Sequence, residues 1–373
     1  MSGPLVTVGV PVYRGQTELP VTLECLRTQT YPNLDVLVSV DAGDQESAKA
    51  CEPFVQRDPR FRMQLQSSRL GWAANTDWTM RGRRGEFYIF QQHDDQVSPT
   101  YVADLVAAAL RKPGAAICFA EMHCTGLRTM VQRGTALSGS PVDRAREYLE
   151  TLDIVPFRGL IRGSALAATS GLLLSDFDPF ESFGTEFRFM TELALLGEFE
   201  FVAGPAYYKR MHGANLHLKR QNWSEHRKQL AWACLAAWIV EVLVPAGENL
   251  EESRRLFDAV LARFLIARAS WSWLRKAARR IAWSRSRALH PVRVLLDRLR
   301  SSEQIVQSLR GRWMFYEAEG TEARAALLRM IFDRLRSGGR FDPSASLQAS
   351  WETLEEETKK RFLADRLPSS GTY

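Results

Sequence analysis

Paired cysteines are absent from the sequence. Five cysteines are scattered along the chain, and no two of them form a CxxC pair. An odd, dispersed set does not build the disulfide framework of a small secreted domain. We therefore expect reduced thiols, in the core or at the surface, and a protein of a reducing compartment. The five are Cys25, Cys51, Cys118, Cys124 and Cys234.

Long hydrophobic runs are also absent. The most apolar stretch, residues 230–244, contains Glu241 and is followed by Pro245. It is shorter than the ~20 residues that a membrane-spanning helix needs, so we predict a buried helix there. The N-terminal segment has no basic stretch followed by an apolar one, which a secretory signal peptide needs. These features predict a cytoplasmic protein.

Two glycine-rich phosphate-binding motifs are missing as well. Neither GxGxxG nor GxxxxGKS/T occurs in the sequence. The dinucleotide-binding fingerprint and the P-loop are therefore not indicated. A phosphorylated ligand would have to be neutralised by a metal ion and by basic side chains instead.

Positive charge is concentrated in one part of the chain. The 373 residues are 45% hydrophobic and 25% charged, as in ordinary globular proteins, with a formal net charge of +6. Residues 263–312 contain thirteen Lys and Arg against two acids, together with several tryptophans. This segment is either a solvated basic helix face, a surface for peripheral binding to an anionic membrane, or a contact for an acidic glycan or protein partner. No nucleic-acid-binding motif accompanies it, so we expect no nucleic acid partner.

Strand and helix signals alternate through the first part of the chain, which favours an α/β fold with a largely parallel sheet covered on both faces. After residue 222 only helix signals remain, so we predict an α/β domain over residues 1–220 and an all-α, basic domain over residues 221–373. Ser98 followed by Pro99 predicts a helix start with serine as its N-cap. The predicted strands are Val6–Tyr13, Asp35–Val40, Phe61–Gln66, Glu86–Phe90 and Ala115–Ala120.

Residues that suit a nucleotide follow three of these strands. Ligands of open parallel sheets bind at the carboxyl ends of the strands, and Tyr13, Asp41 and Asp94 all occupy such positions. Tyr13 can stack on a base, Asp41 can accept a base N–H, and Asp94 can hold a divalent ion that bridges phosphates. The alternatives are simple packing for the tyrosine, a turn or cap for Asp41, and a charged turn for Asp94.

Six segments, in order, resemble those of family 2 glycosyltransferases over roughly residues 5–220. The resemblance implies a GT-A fold with a Rossmann-like, mostly parallel sheet, and a nucleotide-sugar donor, most often UDP-linked. It also implies a divalent metal, Mn²⁺ or Mg²⁺, and transfer with inversion at the anomeric carbon. The segments are VTVGVPVYRG, LRTQTYPNLDVLVSVDAGD, LGWAANTDWTMRGRRGEFYIFQQHDD, GLIRGSAL, ESFGTEFRFMTELALLG and YYKRMHGANLH.

The resemblance also implies roles for individual residues. Pro11 and Tyr13 lie in the loop that contacts the uracil ring, and Asp41 lies where the family hydrogen-bonds the base. Asp94 corresponds to the metal-facing acid of the D-x-D motif. Glu186 falls at the position of the catalytic base, although an acid there could also be a solvated residue of an amphipathic helix.

Further positions support this assignment. His212 falls where some members of the family add a metal or diphosphate ligand. Asn75 is a candidate for the donor loop, unless it only cross-links its helix, and His93 is either a ligand or a structural histidine. Three arginines are additional candidates, two of them for phosphate contact: Arg158, Arg162 and Arg210.

The sequence departs from the family pattern at three places. Gln92 replaces the first acid of D-x-D, and an amide cannot supply the missing charge, so His93 or Asp95 is a candidate to compensate. Thr185 precedes Glu186 where the family has two acids. The Q-x-x-R-W motif of processive members is absent, which argues against polymer synthesis in a channel.

Two functions remain for such a chain. The first is a metal-dependent glycosyltransferase that acts on the hydroxyl of a glycan or a lipid-linked acceptor, with the basic segment holding it at the inner face of the membrane. The second is a non-catalytic nucleotide- or glycan-binding scaffold of the same fold, which the exchange at Gln92 favours.

Overall fold

The computed structural model describes residues 3–172 and 181–213, together with a few separate residues further along the chain. The basic segment 263–312 and most of the predicted helical domain therefore lie outside the described residues. No helix within the described part is long and apolar enough to cross a membrane. The separate residues are 220, 223, 231, 235, 239, 242 and 243.

Part of the apolar stretch 230–244 is described. Ala231, Leu235, Ile239 and Leu243 are helical and buried at intervals of four residues. This spacing is typical of one helix face that packs against a core. It agrees with the buried helix predicted for the stretch.

The chain divides into two compact units. The first comprises residues 1–176 and 185–218, and the second comprises residues 177–184 and 219–373. The predicted domain boundary after residue 220 stays a prediction. All the strands and helices described below belong to the first unit.

A nine-stranded sheet forms the centre of the first unit, counted over the described residues. The strands are β1 (Val6–Val12), β2 (Leu34–Val40), β3 (Phe61–Leu65), β4 (Phe87–Phe90), β5 (Gln96–Val97), β6 (Ala115–Gly126), β7 (Met130–Gln132), β8 (Leu160–Arg162) and β9 (Glu198–Met211). Their spatial order is β3-β2-β1-β4-β8-β6-β9-β5, and β7 pairs with β6 outside this path.

Six of these nine described strands run in the same direction. β1 pairs in parallel with β2 and β4, β2 with β3, and β6 with β9. β8 lies antiparallel between β4 and β6, so β6 again follows the direction of β4. The exceptions are β5, β7 and β8. The predicted α/β class with a mostly parallel sheet is confirmed.

Helices cover this sheet, and the central strands are correspondingly apolar. All seven residues of β2 are buried, as is typical of a strand that is covered on both faces. The helices are α1 (Leu19–Arg27), α2 (Gln45–Arg57), α3 (Gly71–Arg81), α4 (Tyr101–Arg111), α5 (Pro141–Thr151), α6 (Gly163–Ala167) and α7 (Thr185–Leu196), with a 3-10 turn at Val155–Arg158.

The predicted helix start at Ser98 is wrong. Helix α4 begins at Tyr101. Ser98 is bonded to β9 instead: its N–H donates to the Ala206 carbonyl at 2.9 Å, and its Oγ accepts from the Ala206 N–H at 3.1 Å. This contact spans 108 residues of sequence, so local capping rules could not reveal it.

Candidate active site

The loops after β1, β2 and β4 leave the sheet at one edge. The Asp41 N–H donates to the Val12 carbonyl at 3.0 Å, which joins the ends of β1 and β2. The Gln91 N–H donates to the Gly9 carbonyl at 3.0 Å, which joins the end of β4 to β1. The loops that carry the predicted nucleotide and metal residues therefore lie side by side.

Tyr13 is half-buried beside two arginines. The guanidinium carbon of Arg69 lies 4.0 Å from the centre of its ring, and that of Arg14 lies 5.2 Å away. An arginine on the face of a tyrosine is an attractive contact. No sequence motif marks Arg69, which lies just before α3. The tyrosine is thus set in a basic environment, which suits a base that carries phosphates.

Asp41 is buried, and both of its carboxylate oxygens already accept backbone hydrogen bonds. The Leu70 N–H donates to one oxygen at 2.7 Å and the Gly71 N–H donates to the other at 3.0 Å. The side chain therefore fastens the start of α3 to the end of β2. A carboxylate oxygen has a second lone pair, so the predicted contact with a base N–H stays chemically open.

Asn75 is buried between α3 and β2. Its amide N–H donates to the Ser39 carbonyl at 3.1 Å, and its amide oxygen accepts from the Ser39 hydroxyl. Gln66 also donates to that hydroxyl, at 2.7 Å. Asn75 thus cross-links α3 to β2, which is the alternative stated for it above, and its place in the donor site stays a prediction.

Asp94 and His212 meet at this edge. Asp94 Oδ2 lies 2.7 Å from His212 Nε2, and the carboxylate side chain is only 11% exposed. Burial alone would raise the pKa of Asp94, but the charges of His93, His212 and Lys209 and the hydrogen bond from His212 outweigh it, so the pKa is lowered. The carboxylate is thus held in its charged, metal-binding form.

His93 packs on the loop after β1. Its Nδ1 lies 3.3 Å from the Pro11 carbonyl. Its ring also lies directly over Gly15, where an added Cβ would come within 2.6 Å of His93 Cδ2. Pro11 and His93 therefore both lie at the predicted edge, and their contact joins the loop after β1 to the loop after β4.

Asp95 anchors the loop after β4, residues 91–95, to β9. It is 1% exposed. One oxygen accepts from the Tyr207 hydroxyl at 2.8 Å and the other from the Arg210 N–H at 2.9 Å. Burial is the largest influence and raises the pKa of Asp95, against the lowering effect of Lys209. Both oxygens therefore serve the fold, a metal ion would have to use their second lone pairs, and the compensating role of Asp95 stays a prediction.

Gln92 faces two cations. Its Oε1 accepts from Lys209 Nζ at 2.8 Å and from Arg158 Nη2 at 3.0 Å. A metal ion at the same oxygen would lie against both positive groups. The two cations therefore argue against Gln92 as a metal ligand, in agreement with the missing charge of its amide.

Arg158 is a buried guanidinium enclosed by aromatic rings. Its central carbon lies 4.8 Å from the centre of the Phe90 ring, 5.5 Å from Phe157 and 5.7 Å from Tyr207. Its Nε and Nη1 are buried with no hydrogen-bond partner among the described residues. Of the two arginines predicted for phosphate contact, this is the one at the site.

The prediction for Arg162 is wrong. It pairs with Phe87 at the beginning of β4, which is the opposite end of that strand from the site. Its guanidinium donates to the carbonyls of Ala109 at 2.9 Å and Ala115 at 3.0 Å, next to the end of α4. Such contacts satisfy carbonyls that the last helical turn leaves unpaired. Its role is structural.

Arg210 lies at the rim of the site. Its guanidinium donates to Glu18 at 3.1 Å, and the side chain is 55% exposed. Its backbone N–H is the donor to Asp95 described above. It therefore stays a candidate for contact with the ligand.

Glu186 lies in the first turn of α7 and is half-buried. Phe189, one turn further on the same helix face, packs against Phe157 at 5.9 Å. Phe157 in turn packs at 4.9 Å against Phe90, the last residue of β4. Burial and the nearby charge of Glu186 raise the pKa of Tyr148 in α5. Helix α7 thus packs through Phe157 on the last residue of β4, and the role of Glu186 as base stays a prediction.

Two side chains at this sheet edge are placed so that together they could hold a divalent ion. Among the described residues, no group of three or more His, Cys, Asp or Glu side chains is placed to hold a metal. Asp94 and His212 do converge, at 2.7 Å. One carboxylate and one imidazole suit Mn²⁺ or Mg²⁺ when phosphate oxygens and water complete the coordination.

Residues 7–167 match the family model described as Glycosyl transferase family 2. EpsH of Bacillus subtilis, named as a glycosyltransferase, is 29% identical over 166 residues, which cover 44% of this chain and 46% of EpsH. Chondroitin synthase of Escherichia coli is 24% identical over 221 residues, which cover 58% of this chain and 30% of that protein. The chain thus matches less than half the length of each of these relatives.

The fold is similar to that of TarS of S. aureus. The crystal structure of TarS residues 1–349 superposes with a TM-score of 0.56 at 15% identity, over 90% of this chain and 92% of that fragment. The same fragment in complex with UDP-GlcNAc gives a TM-score of 0.56 at 16% identity. Residues 7–167 thus match the family 2 glycosyltransferases in sequence, and the α/β sheet has the fold of TarS.

Proposed function

We propose that this chain is a glycosyltransferase that moves a sugar from a UDP-sugar to the hydroxyl of a glycan or a lipid-linked acceptor. The observation that carries the proposal is the convergence of three loops at one sheet edge, where Asp94 meets His212 at 2.7 Å. The structures of TarS with UDP and with UDP-GlcNAc support UDP as the first nucleotide to test.

The donor is bound by residues of the first three loops. Tyr13 would stack on the uracil ring, and Asp41 would accept its N–H. Asp94 and His212 would hold a Mn²⁺ or Mg²⁺ ion, which supplies positive charge against the leaving diphosphate. Arg210 and Arg69 lie close enough to these loops to meet further phosphate charge.

Glu186 acts as the general base. Its carboxylate takes the proton from the acceptor hydroxyl while that oxygen forms a bond to the anomeric carbon. The bond between this carbon and the diphosphate oxygen breaks, and UDP leaves with the bonding electron pair. Attack from the face opposite the diphosphate inverts the anomeric configuration.

The place of action is part of the proposal. A cytoplasmic enzyme with a basic segment at residues 263–312 would associate peripherally with anionic lipid at the inner face of the membrane. This would bring a lipid-linked acceptor to the site. Vesicles with and without anionic lipid test the association in a sedimentation assay.

Thermal unfolding with UDP and Mn²⁺ tests donor binding. We expect a higher melting temperature with both ligands, and loss of most of this shift in Asp94→Ala. Hydrolysis or transfer of the UDP-sugar then tests catalysis, and Glu186→Gln should abolish it while leaving the shift. Glu147→Gln, an exposed acid on α5, is the matched control.

The scaffold function is the second candidate, and the neutral Gln92 favours it because the family's acid is missing. Under this alternative the wild type would bind UDP but release no sugar from any UDP-sugar. Turnover that disappears in Glu186→Gln would exclude it.

A further inference from the structure

The amide of Gln92 accepts hydrogen bonds from two buried cations but carries no charge to match either of them. Lys209 and Arg158 both donate to its oxygen, at 2.8 and 3.0 Å. An acid at this position would form an ion pair with each of them. An amide accepts their hydrogen bonds but cancels neither charge.

The neighbouring acid, Asp95, forms an ion pair with Lys209 at a distance too long for a hydrogen bond. Asp95 Oδ2 lies 3.9 Å from Lys209 Nζ. Its two oxygens already accept from Tyr207 and Arg210, as described above. An ammonium group has three donors, of which Gln92 takes one. The ammonium thus retains the capacity to bind an anion.

Both cations are in a poorly solvated place. The side chain of Lys209 is 14% exposed, and burial together with the charge of Arg158 lowers its pKa. Arg158 is 8% exposed, and its Nε and Nη1 have no hydrogen-bond partner among the described residues. A buried donor without a partner is costly, so these groups point to a polar ligand or water that completes the cluster.

The cluster lies next to the expected position of the diphosphate. Gln92 is two residues before Asp94 in the same loop, and Lys209 is three residues before His212 at the end of β9. A diphosphate held at Asp94 and His212 would therefore lie beside Lys209.

We propose that Lys209, with Arg158 behind it, is a cationic subsite for the donor diphosphate that Gln92 leaves free to act. This inference rests on the proposed function, because it concerns the same donor. Nucleoside diphosphate binding then has a component that needs no metal. Lys209 acts as a positioning residue for the leaving diphosphate.

Calorimetric titration of the full chain with UDP, in Mn²⁺ and in EDTA, tests the proposal. The wild type should retain measurable binding in EDTA. Lys209→Gln should weaken that binding about tenfold or more, the scale of a lost charge-assisted hydrogen bond. Gln92→Asp should weaken it similarly, because the new carboxylate pairs with both cations. Lys209→Arg keeps the positive charge and should bind UDP in EDTA with an affinity within about threefold of the wild type.

A matched control is Lys112→Gln, which removes a lysine that pairs with Glu198 and Glu200 away from the site. It should leave binding in EDTA unchanged. If Lys209→Gln fails to fold, as melting curves would show, Gln92→Asp still decides the question.

The outcomes separate the two proposals. Binding of UDP in Mn²⁺ that vanishes completely in EDTA would overturn the cationic subsite alone. Unchanged binding in EDTA for folded Lys209→Gln or Gln92→Asp would also overturn it. No binding of UDP by the wild type in either buffer would overturn the proposed function and the subsite together.

Discussion

Asp94 and His212 are separated by 118 positions in the sequence, yet their side chains meet at 2.7 Å. One follows β4 and the other follows β9, which run in the same direction in the sheet. The carboxyl ends of codirectional strands share one edge, which is why the two loops can meet. This pair is the part of the site that suits a metal ion.

A double-mutant cycle on this pair tests that assignment. Asp94→Asn and His212→Gln should each weaken UDP binding in Mn²⁺ by about tenfold or more, since each removes one ligand from a shared ion. The double variant should lose much less than the product of the two effects, because one ligand alone holds the ion poorly. Calorimetry in Mn²⁺ measures all four proteins. Independent, multiplying effects would argue against a shared ion.

Tyr13 should contribute to binding through its ring. Tyr13→Ala should weaken UDP binding by about 1–3 kcal/mol, the range for stacking of a base on an aromatic side chain. Tyr13→Phe should bind within a few tenths of a kcal/mol of the wild type, because the ring is kept. Titration with UDP compares the three. Equal affinity of the alanine variant would assign Tyr13 to packing alone.

Arg162 should contribute to the stability of the fold but not to the affinity for UDP. Arg162→Met should lower the free energy of unfolding by about 1–3 kcal/mol, since buried carbonyls near the end of α4 lose their donor. Urea unfolding measures this loss, and UDP titration of the folded variant should match the wild type. A selective loss of UDP affinity with unchanged stability would restore Arg162 to the site.

Asp58 should make the protein sensitive to acid. The hydrogen bond from Arg60 is the largest influence on the pKa of Asp58 and lowers it, against burial. A carboxyl whose pKa is lowered in the folded state stabilises the fold to its full extent at pH values above its unfolded pKa of about 3.9. That contribution is lost as the pH falls through the lower folded value. Asp58→Asn should therefore be less stable than the wild type by about 0.5–1 kcal/mol at neutral pH.

Urea unfolding as a function of pH checks this sign. The difference between wild type and Asp58→Asn should be constant above about pH 5 and shrink below about pH 4. A difference that grows on acidification would contradict the ion pair with Arg60 seen at 2.6 Å.

Much of the fold follows from local patterns. Helix α2, at Gln45–Arg57, is an example. An N-cap aspartate, Asp44, and the buried residues Ser47, Ala48 and Cys51 explain why this helix is so readily identified. The edge with Tyr13, Asp41 and Asp94 also follows from strand order, because parallel strands bring their ends together.

The contacts that complete the site could not be predicted in this way. Lys209 reaches Gln92 across 117 positions of sequence, and Arg158 reaches it across 66. Alternation along β9 places Lys209 on the same side as the buried Tyr207, which would have marked it as an inward-facing lysine. Arg162 resembles Arg158 in sequence context, and only the pairing of β8 with β4 separates them.

A crystal structure of the full chain with UDP and Mn²⁺ tests the central claim most directly. The anomalous signal of manganese should lie between Asp94 and His212, with the uracil ring over Tyr13 and within hydrogen-bonding distance of Asp41. Manganese and nucleotide bound away from this sheet edge would contradict the account.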